Sequence, residues 1–174
     1  SALYAYSPSC PKIDGIWYYF NTTKRTAEVT WPGTTYQPDF YKGDIVVPSK
    51  VTYQGVEYTV TEFSPTQSFF GQTELTSVTI PPTVTSIGSF AGCDKLTKMV
   101  IPNTVTQIGD FNGCPLLKEI VLPENLKRLT SSFSNCTSLE TITIPKSAES
   151  INGYLFTGCT NMKSIIIKGQ CTTS

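Results

Sequence analysis

The chain has 174 residues, with thirteen Lys plus Arg against thirteen Asp plus Glu and no histidine. Only 15% of residues are charged, against about 25% in ordinary domains. The neutral balance lacks the basic footprint of a nucleic-acid binder, and the absence of His removes Ser-His-Asp and Cys-His catalysis. No apolar stretch approaches the ~18 residues that cross a membrane as a helix, so no spanning segment is expected.

Residues 1–13 read as an N-terminal extension, without a charged-then-apolar leader. Ile16-Trp-Tyr-Tyr-Phe20 and Ala27-Glu-Val-Thr-Trp31 flank a polar turn from Asn21 to Thr26, which predicts a β-hairpin. Ile45-Val46-Val47-Pro48 is a short strand ended by a proline. A second hairpin is expected over Val51–Tyr58, turning at Gln54-Gly55. Residues 14–74 therefore read as a β-hairpin cap plus a first, irregular repeat. Both Trp and most Tyr fall before residue 60, as an aromatic cover over the end of a stack requires.

From residue 75 one pattern recurs. Leu75-Thr-Ser-Val78-Thr-Ile80-Pro81 is followed by equivalents starting at Leu96, Leu117, Leu139 and Met162, at spacings of 21, 21, 22 and 23 residues. The last copy ends in Lys168 instead of Pro. Val78 and Ile80 alternate with Thr79, so each copy opens with a short strand buried on one face. Between the strands, Val84, Ile87, Phe90 and Cys93 match Val105, Ile108, Phe111 and Cys114 without a gap. Leu126, Leu129, Phe133 and Cys136 match with one inserted residue, and Ala148, Ile151, Phe156 and Cys159 with two. Gly92, Gly113, Asn135 and Gly158 precede the Cys and predict a left-handed turn there. Such a unit cannot bury its own apolar face, so repeats are expected to stack at ~4.8 Å with ladders of Phe and Cys between them. The expected class is mainly β with short helical or 3-10 turns, repeats over 75–168 and a disordered tail at 169–174. The C-terminus shows no pattern equivalent to the aromatic cover.

The units Leu-Thr-Ser-Val-Thr-Ile-Pro and Ile-Gly-Ser-Phe-Ala-Gly-Cys, with the segment Val51–Val60 before them, resemble BspA-type leucine-rich repeats over roughly residues 14–168. The resemblance implies a right-handed, horseshoe-type leucine-rich-repeat solenoid on a bacterial, often host-associated, secreted or surface protein. Family members of known role are adhesins for extracellular-matrix proteins or other cells, so the implied partner is a host matrix or cell-surface protein, or a glycan. The chain departs from the usual pattern in its short coils, where Phe90 and Phe111 follow the Ile-Gly pair almost directly.

Catalytic chemistry is not expected. Asp94, Asp110, Glu119 and Glu140 take outward positions in different repeats, whereas acid–base catalysis needs a pair in a cleft. Cys93, Cys114, Cys136 and Cys159 read as a ladder of small buried hydrophobes. A linear stack does not converge on zinc, and no cofactor motif occurs. Cys10 and Cys171 lie too far apart along the stack to bridge. The outward strand positions Thr79, Val100, Val121, Thr143 and Ile166, flanked by Lys98 and Glu119, form a candidate binding strip for a protein. Lys127 and Arg128 beside Gln107 and Ser86 are a weaker basic candidate. Trp17, Tyr19, Trp31, Tyr36 and Tyr41 are candidate sugar-stacking aromatics, which keeps a carbohydrate-binding role open. A structural spacer within a longer surface protein is a third reading. Asn21-Thr-Thr23 and Asn135-Cys-Thr137 match the N-glycosylation pattern.

Overall fold

The computed structural model describes residues 10–33, 35–127, 129, 133–148, 151 and 153–169. The expected disordered tail, apart from Gly169, and with it Cys171, lies outside the described residues. The described chain is almost all β. One 3-10 turn, Gly153–Phe156, is the only helical element among the described residues.

Strands β1 (Lys12–Ile13), β2 (Ile16–Asn21), β3 (Thr26–Thr30), β5 (Lys50–Tyr53) and β6 (Val56–Phe63) make one sheet, in the order β1-β2-β3-β6-β5. Both expected hairpins form, β2 with β3 and β5 with β6. Gln54 and Gly55 turn the second at φ 49° and 78°, the paired left-handed residues that match strand twist. Asp14 and Gly15 do the same at φ 48° and 85°. They fold Lys12 and Ile13 back onto Trp17 and Ile16, so the last two residues of the expected extension join the sheet. The two hairpins join through a parallel pair, β3 with β6, whose register shifts between Ala27 and Glu28. The sheet then runs on into the repeats through the bridges Glu62↔Ser86 and Ser86↔Gln107.

The first strands of the units form a second ladder. Strand β4 (Gly43–Val46) pairs in parallel with β7 (Leu75–Thr79), β8 (Lys98–Val100) with β9 (Glu119–Val121), and β10 (Thr141–Ile144) with β11 (Ser164–Ile167). Strand β8 lies beside β7, and β10 beside β9. Among the described residues, the expected second strand of the repeats, Val84 to Ile87 and its equivalents, is reduced to the isolated bridges Ser86↔Gln107 and Leu129↔Ile151.

The apolar positions of the copies before the last close one core, whereas Ile165 and Ile167 of the last strand are 44% and 43% exposed. Leu75, Leu96, Leu117 and Leu139 are fully buried, as are Val84, Val105 and Leu126. Phe69, Phe90, Phe111, Phe133 and Phe156 stack at centroid separations of 5.2, 5.3, 5.6 and 5.7 Å, with interplanar angles of 16° or less. Gly92, Gly113 and Gly158 sit at φ 73°, 70° and 77°, and Asn135 takes the same turn at 61°. The left-handed turn is thus the common device that reverses each unit after its Phe.

Candidate functional site

The outward row of the first-strand ladder is built by register alone. Val46 pairs with Thr79, Val100 with Val121, and Thr143 with Ile166. The inward neighbours Val78, Met99, Ile120 and Ile142 are buried, so alternation forces Thr79, Val100, Val121 and Thr143 outward; in β11, Ile165 and Ile167 are exposed as well as Ile166. Val46, Val100, Val121 and Ile166 are 68%, 51%, 44% and 50% exposed. Val46 extends the strip by one unit beyond the sequence reading. Its signal was the Ile45-Val46-Val47-Pro48 phrase, which has the same strand-Pro form as the later copies.

Charges flank this row in pairs that join adjacent units. Lys95 meets Glu74 at 2.7 Å, Lys98 meets Glu119 at 3.4 Å, and Lys163 meets Glu140 at 3.1 Å. Lys163 also holds the Glu140 carboxyl below its usual range, through the hydrogen bond first and the charge second. Asp44 accepts hydrogen bonds from the Thr76 and Ser77 hydroxyls, each at 2.7 Å, and these lower its pKa. Exposed pairs of this kind add little stability. Their effect is to cancel charge locally, which leaves an apolar row in a neutral frame. Glu119 and Glu140, the carboxylates closest in repeat phase, are each held by a lysine.

A shallow pocket of about 200 Å³ opens on this face, lined by Val121, Thr143 and Pro145 with Ile120 and Leu122. Lys168 and Glu124 close its rim at 3.1 Å, reaching over the intervening copy. Thr143 is the small member of the row between Val121 and Ile166, and Lys168 stands where the other copies have Pro. Both were visible in the sequence, but their meeting across a copy was not.

The cysteines are placed as a ladder, and all five among the described residues are free. They are more than small hydrophobes. The thiols of Cys93, Cys114, Cys136 and Cys159 donate to the carbonyls of Phe69, Phe90, Phe111 and Phe133 at 3.1, 3.2, 3.1 and 3.0 Å. Phe90 O and Phe133 O also accept the amide N–H of Cys93 and Cys136, so one carbonyl serves two partners. Burial pushes the Cys93 thiol up to about 12; contact with Cys136 and then burial raise Cys114. A thiol reacts as thiolate. Cys93, Cys114 and Cys136 have no exposed surface, so we expect all three to resist iodoacetamide at pH 8 in the native protein and to label fully in urea; contact with Cys114 lowers the pKa of Cys136, so its protection is burial alone. Mass spectrometry would check this, and rapid native labelling of Cys114 would refute the ladder. Gln72 stands in the Cys place of the first unit. Its side-chain oxygen accepts the Tyr41 N–H at 2.9 Å, and its side-chain nitrogen donates to Gln37 O and Phe70 O. It pins the loop that covers the end of the Phe stack.

The candidate aromatics do not form one surface. Trp31 and Tyr41 are buried, and the Tyr41 hydroxyl donates to Thr30 O while its ring meets Phe69 at 4.7 Å. Trp17 is half-buried against Phe40 and Tyr41. Tyr19 and Tyr36 are exposed, and the Tyr36 hydroxyl donates to Gly71 O at 2.5 Å. Alternating hairpin residues face opposite sides, and one side builds the core under the first repeat. On the weaker basic candidate, Ser86 and Gln107 are bridged neighbours, but Glu62 precedes them in the same column. Arg128 lies outside the described residues.

Among the described residues, no group of three His, Cys, Asp or Glu side chains could hold a metal ion, and no helix is long and apolar enough to cross a membrane. The family model described as BspA type leucine rich repeat region matches residues 64–174 in six copies. The chain is similar to a leucine-rich repeat protein from Bacteroides ovatus, with 32% identity and a TM-score of 0.66 over 89% of this chain and 46% of that one. It therefore spans about half the length of that protein. It is also similar to the T. pallidum leucine-rich repeat protein, with 27% identity and a TM-score of 0.71 over 90% and 71% of the two chains. The pneumococcal vaccine antigen PcpA shares the fold at 19% identity, with a TM-score of 0.58 over 92% and 50%. A search of curated proteins finds none that matches the chain.

Proposed function

Because the chain belongs to the BspA-type leucine-rich repeat family, we propose that it is a secreted or surface-exposed binding module without catalytic activity. Its partner is a protein held on the open face of the first-strand ladder. The proposal includes a right-handed solenoid over residues 75–168, with residues 14–74 as its N-terminal cover and first irregular unit. The observation that carries the reading is the row Val46, Thr79, Val100, Val121, Thr143 and Ile166. Four of its side chains are exposed aliphatics at about half or more of their surface, where a purely structural strand has no need of them.

The neutral frame defines the kind of contact. A partner seated here gains little from long-range charge, so shape and apolar burial decide affinity. The adhesin reading of the family takes the same form: a host matrix or cell-surface protein laid across the strands. Glycan binding has less support, since two of the five candidate aromatics are buried in the core of the N-terminal sheet.

The test is a pull-down from host-surface extract, followed by titration of the captured protein. Val100→Lys with Val121→Lys is expected to weaken binding at least about tenfold, as loss of two central apolar contacts does. Raising salt from 0.1 to 0.5 M is expected to change affinity little. Unchanged affinity in the double variant would remove the strip as the binding site.

A further inference from the structure

Glu28 lies on β3 with only 7% of its surface exposed. Its partner across the parallel β3–β6 seam is Glu62, half-buried. The groups facing Glu28 are Tyr19 from β2, Glu62 from β6, Cys10 from the segment before β1 and the Ser64 hydroxyl just after β6. Glu62 is followed in the same column by Ser86 of the first repeat. Among the described residues neither carboxylate has an ion-pair partner. Every other acidic residue named on the strip face has a lysine or a pair of hydroxyls. Two carboxylates are therefore set side by side, one of them buried, at the seam between the β2–β3 hairpin and the strand that leads into the repeats.

We propose that Glu28, set beside Glu62, forms a proton-sensitive latch: a proton held on the buried Glu28 carboxyl keeps the β3–β6 seam closed, and its loss loosens the hairpin from the repeats. Two ionised carboxylates on adjacent strands repel, and the buried one lacks the solvation that screens charge. Burial first and Glu62 second push the Glu28 carboxyl up to about 7 from 4.5, while the Ser64 hydroxyl pulls the other way. The folded value lies above the unfolded one, so the folded state holds the proton more tightly. The seam is firmest below about pH 4.5 and weakens as pH rises toward and through about 7. The latch thus tightens on mild acidification, opposite to proteins whose paired carboxylates make acid destabilising.

Hydrogen exchange on the full chain between pH 5.5 and 8.0, corrected for base-catalysed intrinsic exchange, tests this locally. The reporters are the Ser64 amide, which donates to Val29 O, and the Thr59 amide, which donates to Arg25 O. Ile101, bonded to Val121 O, serves as a distant control. Seam protection should fall at least about tenfold across this range, as a shift of more than one pKa unit requires, with no matching fall at Ile101. Glu28→Gln should abolish the dependence and raise seam protection at pH 8. Glu62→Gln, at a more exposed site, should move the midpoint toward lower pH. Seam amides that follow intrinsic exchange alone would overturn the latch, as would a Glu28→Gln protein that keeps the wild-type profile. Should Glu28→Gln fail to fold, an unmoved midpoint in Glu62→Gln would overturn it equally.

Discussion

Replacing Phe111 by Ala is expected to cost about 3–5 kcal/mol of unfolding free energy, the range for deleting a fully buried aromatic ring. Phe111 has no exposed surface and stacks on Phe90 at 5.3 Å and on Phe133 at 5.6 Å. The substitution removes two ring–ring contacts, each about 0.5–1.5 kcal/mol beyond burial, and opens a cavity between coils whose backbones are tied on either side. Packing couples each unit chiefly to its neighbours in such an array. A hole at the middle rung therefore weakens the link between the two halves as well as one unit. Urea titration followed by tyrosine and tryptophan fluorescence would report chiefly on the N-terminal sheet, and circular dichroism on the whole chain. Divergence of the two curves in the variant is expected, with both curves shifted. Phe156 is the control: it is half-buried and stacks on Phe133 alone among the rungs, so Phe156→Ala should cost distinctly less. Equal losses for the two would mean that the stack is not the link between units.

The Phe rungs were legible in the sequence because a repeat shows one environment several times. Four aligned copies of Phe and Cys say that these positions touch their own equivalents. The left-handed turn was legible for the same reason, with Asn135, whose side chain tolerates that backbone, in the place of Gly. Features that occur once were harder to see. Nothing in Ala27–Thr30 or Val56–Phe63 distinguishes a parallel from an antiparallel neighbour, since alternation fits both, and the two segments lie some thirty residues apart. Alternation puts Glu28 on the opposite face of β3 from Ala27 and Val29, yet both faces of the strand are covered, so it is a buried carboxylate. Gln72 aligned with the cysteines, but alignment could not show that its amide would satisfy a loop from residues 37–41. The donor role of the thiols also escaped, because a buried cysteine usually reads as a small hydrophobe. In the binding strip, register supplied the row, whereas the pocket beside Thr143 depends on a lysine reaching past one whole unit.

Gly109→Ala is expected to destabilise by about 3 kcal/mol or more, although alanine is ordinarily the mildest replacement for glycine. Gly109 and Gly88 are not among the glycines with positive φ, so backbone conformation is not the obstacle. A Cβ on Gly109 would lie 2.5 Å from Gly88 C and from Ser89 N, and one on Gly88 would lie 2.1 Å from Ser64 O. These are backbone atoms of the preceding unit, which cannot turn aside as a flexible side chain would, so the two coils must separate locally. Overpacking typically costs 1–3 kcal/mol, and a clash of backbone against Cβ belongs at its upper end. The control is Gly113→Ala. Gly113 has φ 70°, and the nearest atom to its added Cβ is Gly92 N at 3.9 Å, so its cost is the left-handed strain alone, about 1–2 kcal/mol. Gly113→Asn should cost less still, since Asn135 already holds that turn. Thermal unfolding of the three variants should rank them Gly109→Ala, Gly113→Ala, Gly113→Asn from worst to mildest. If Gly109→Ala proves no worse than Gly113→Ala, close coil contact is not what holds the glycine. The sequence supplies an internal parallel: the copies one and two residues longer carry Thr130 and Asn152 after their Leu129 and Ile151. Directly after that apolar residue, glycine stands where the unit is 21 residues and another residue where it is longer. A shortened return segment brings successive backbones into contact, and the loss of a side chain at that point is what lets so short a unit stack.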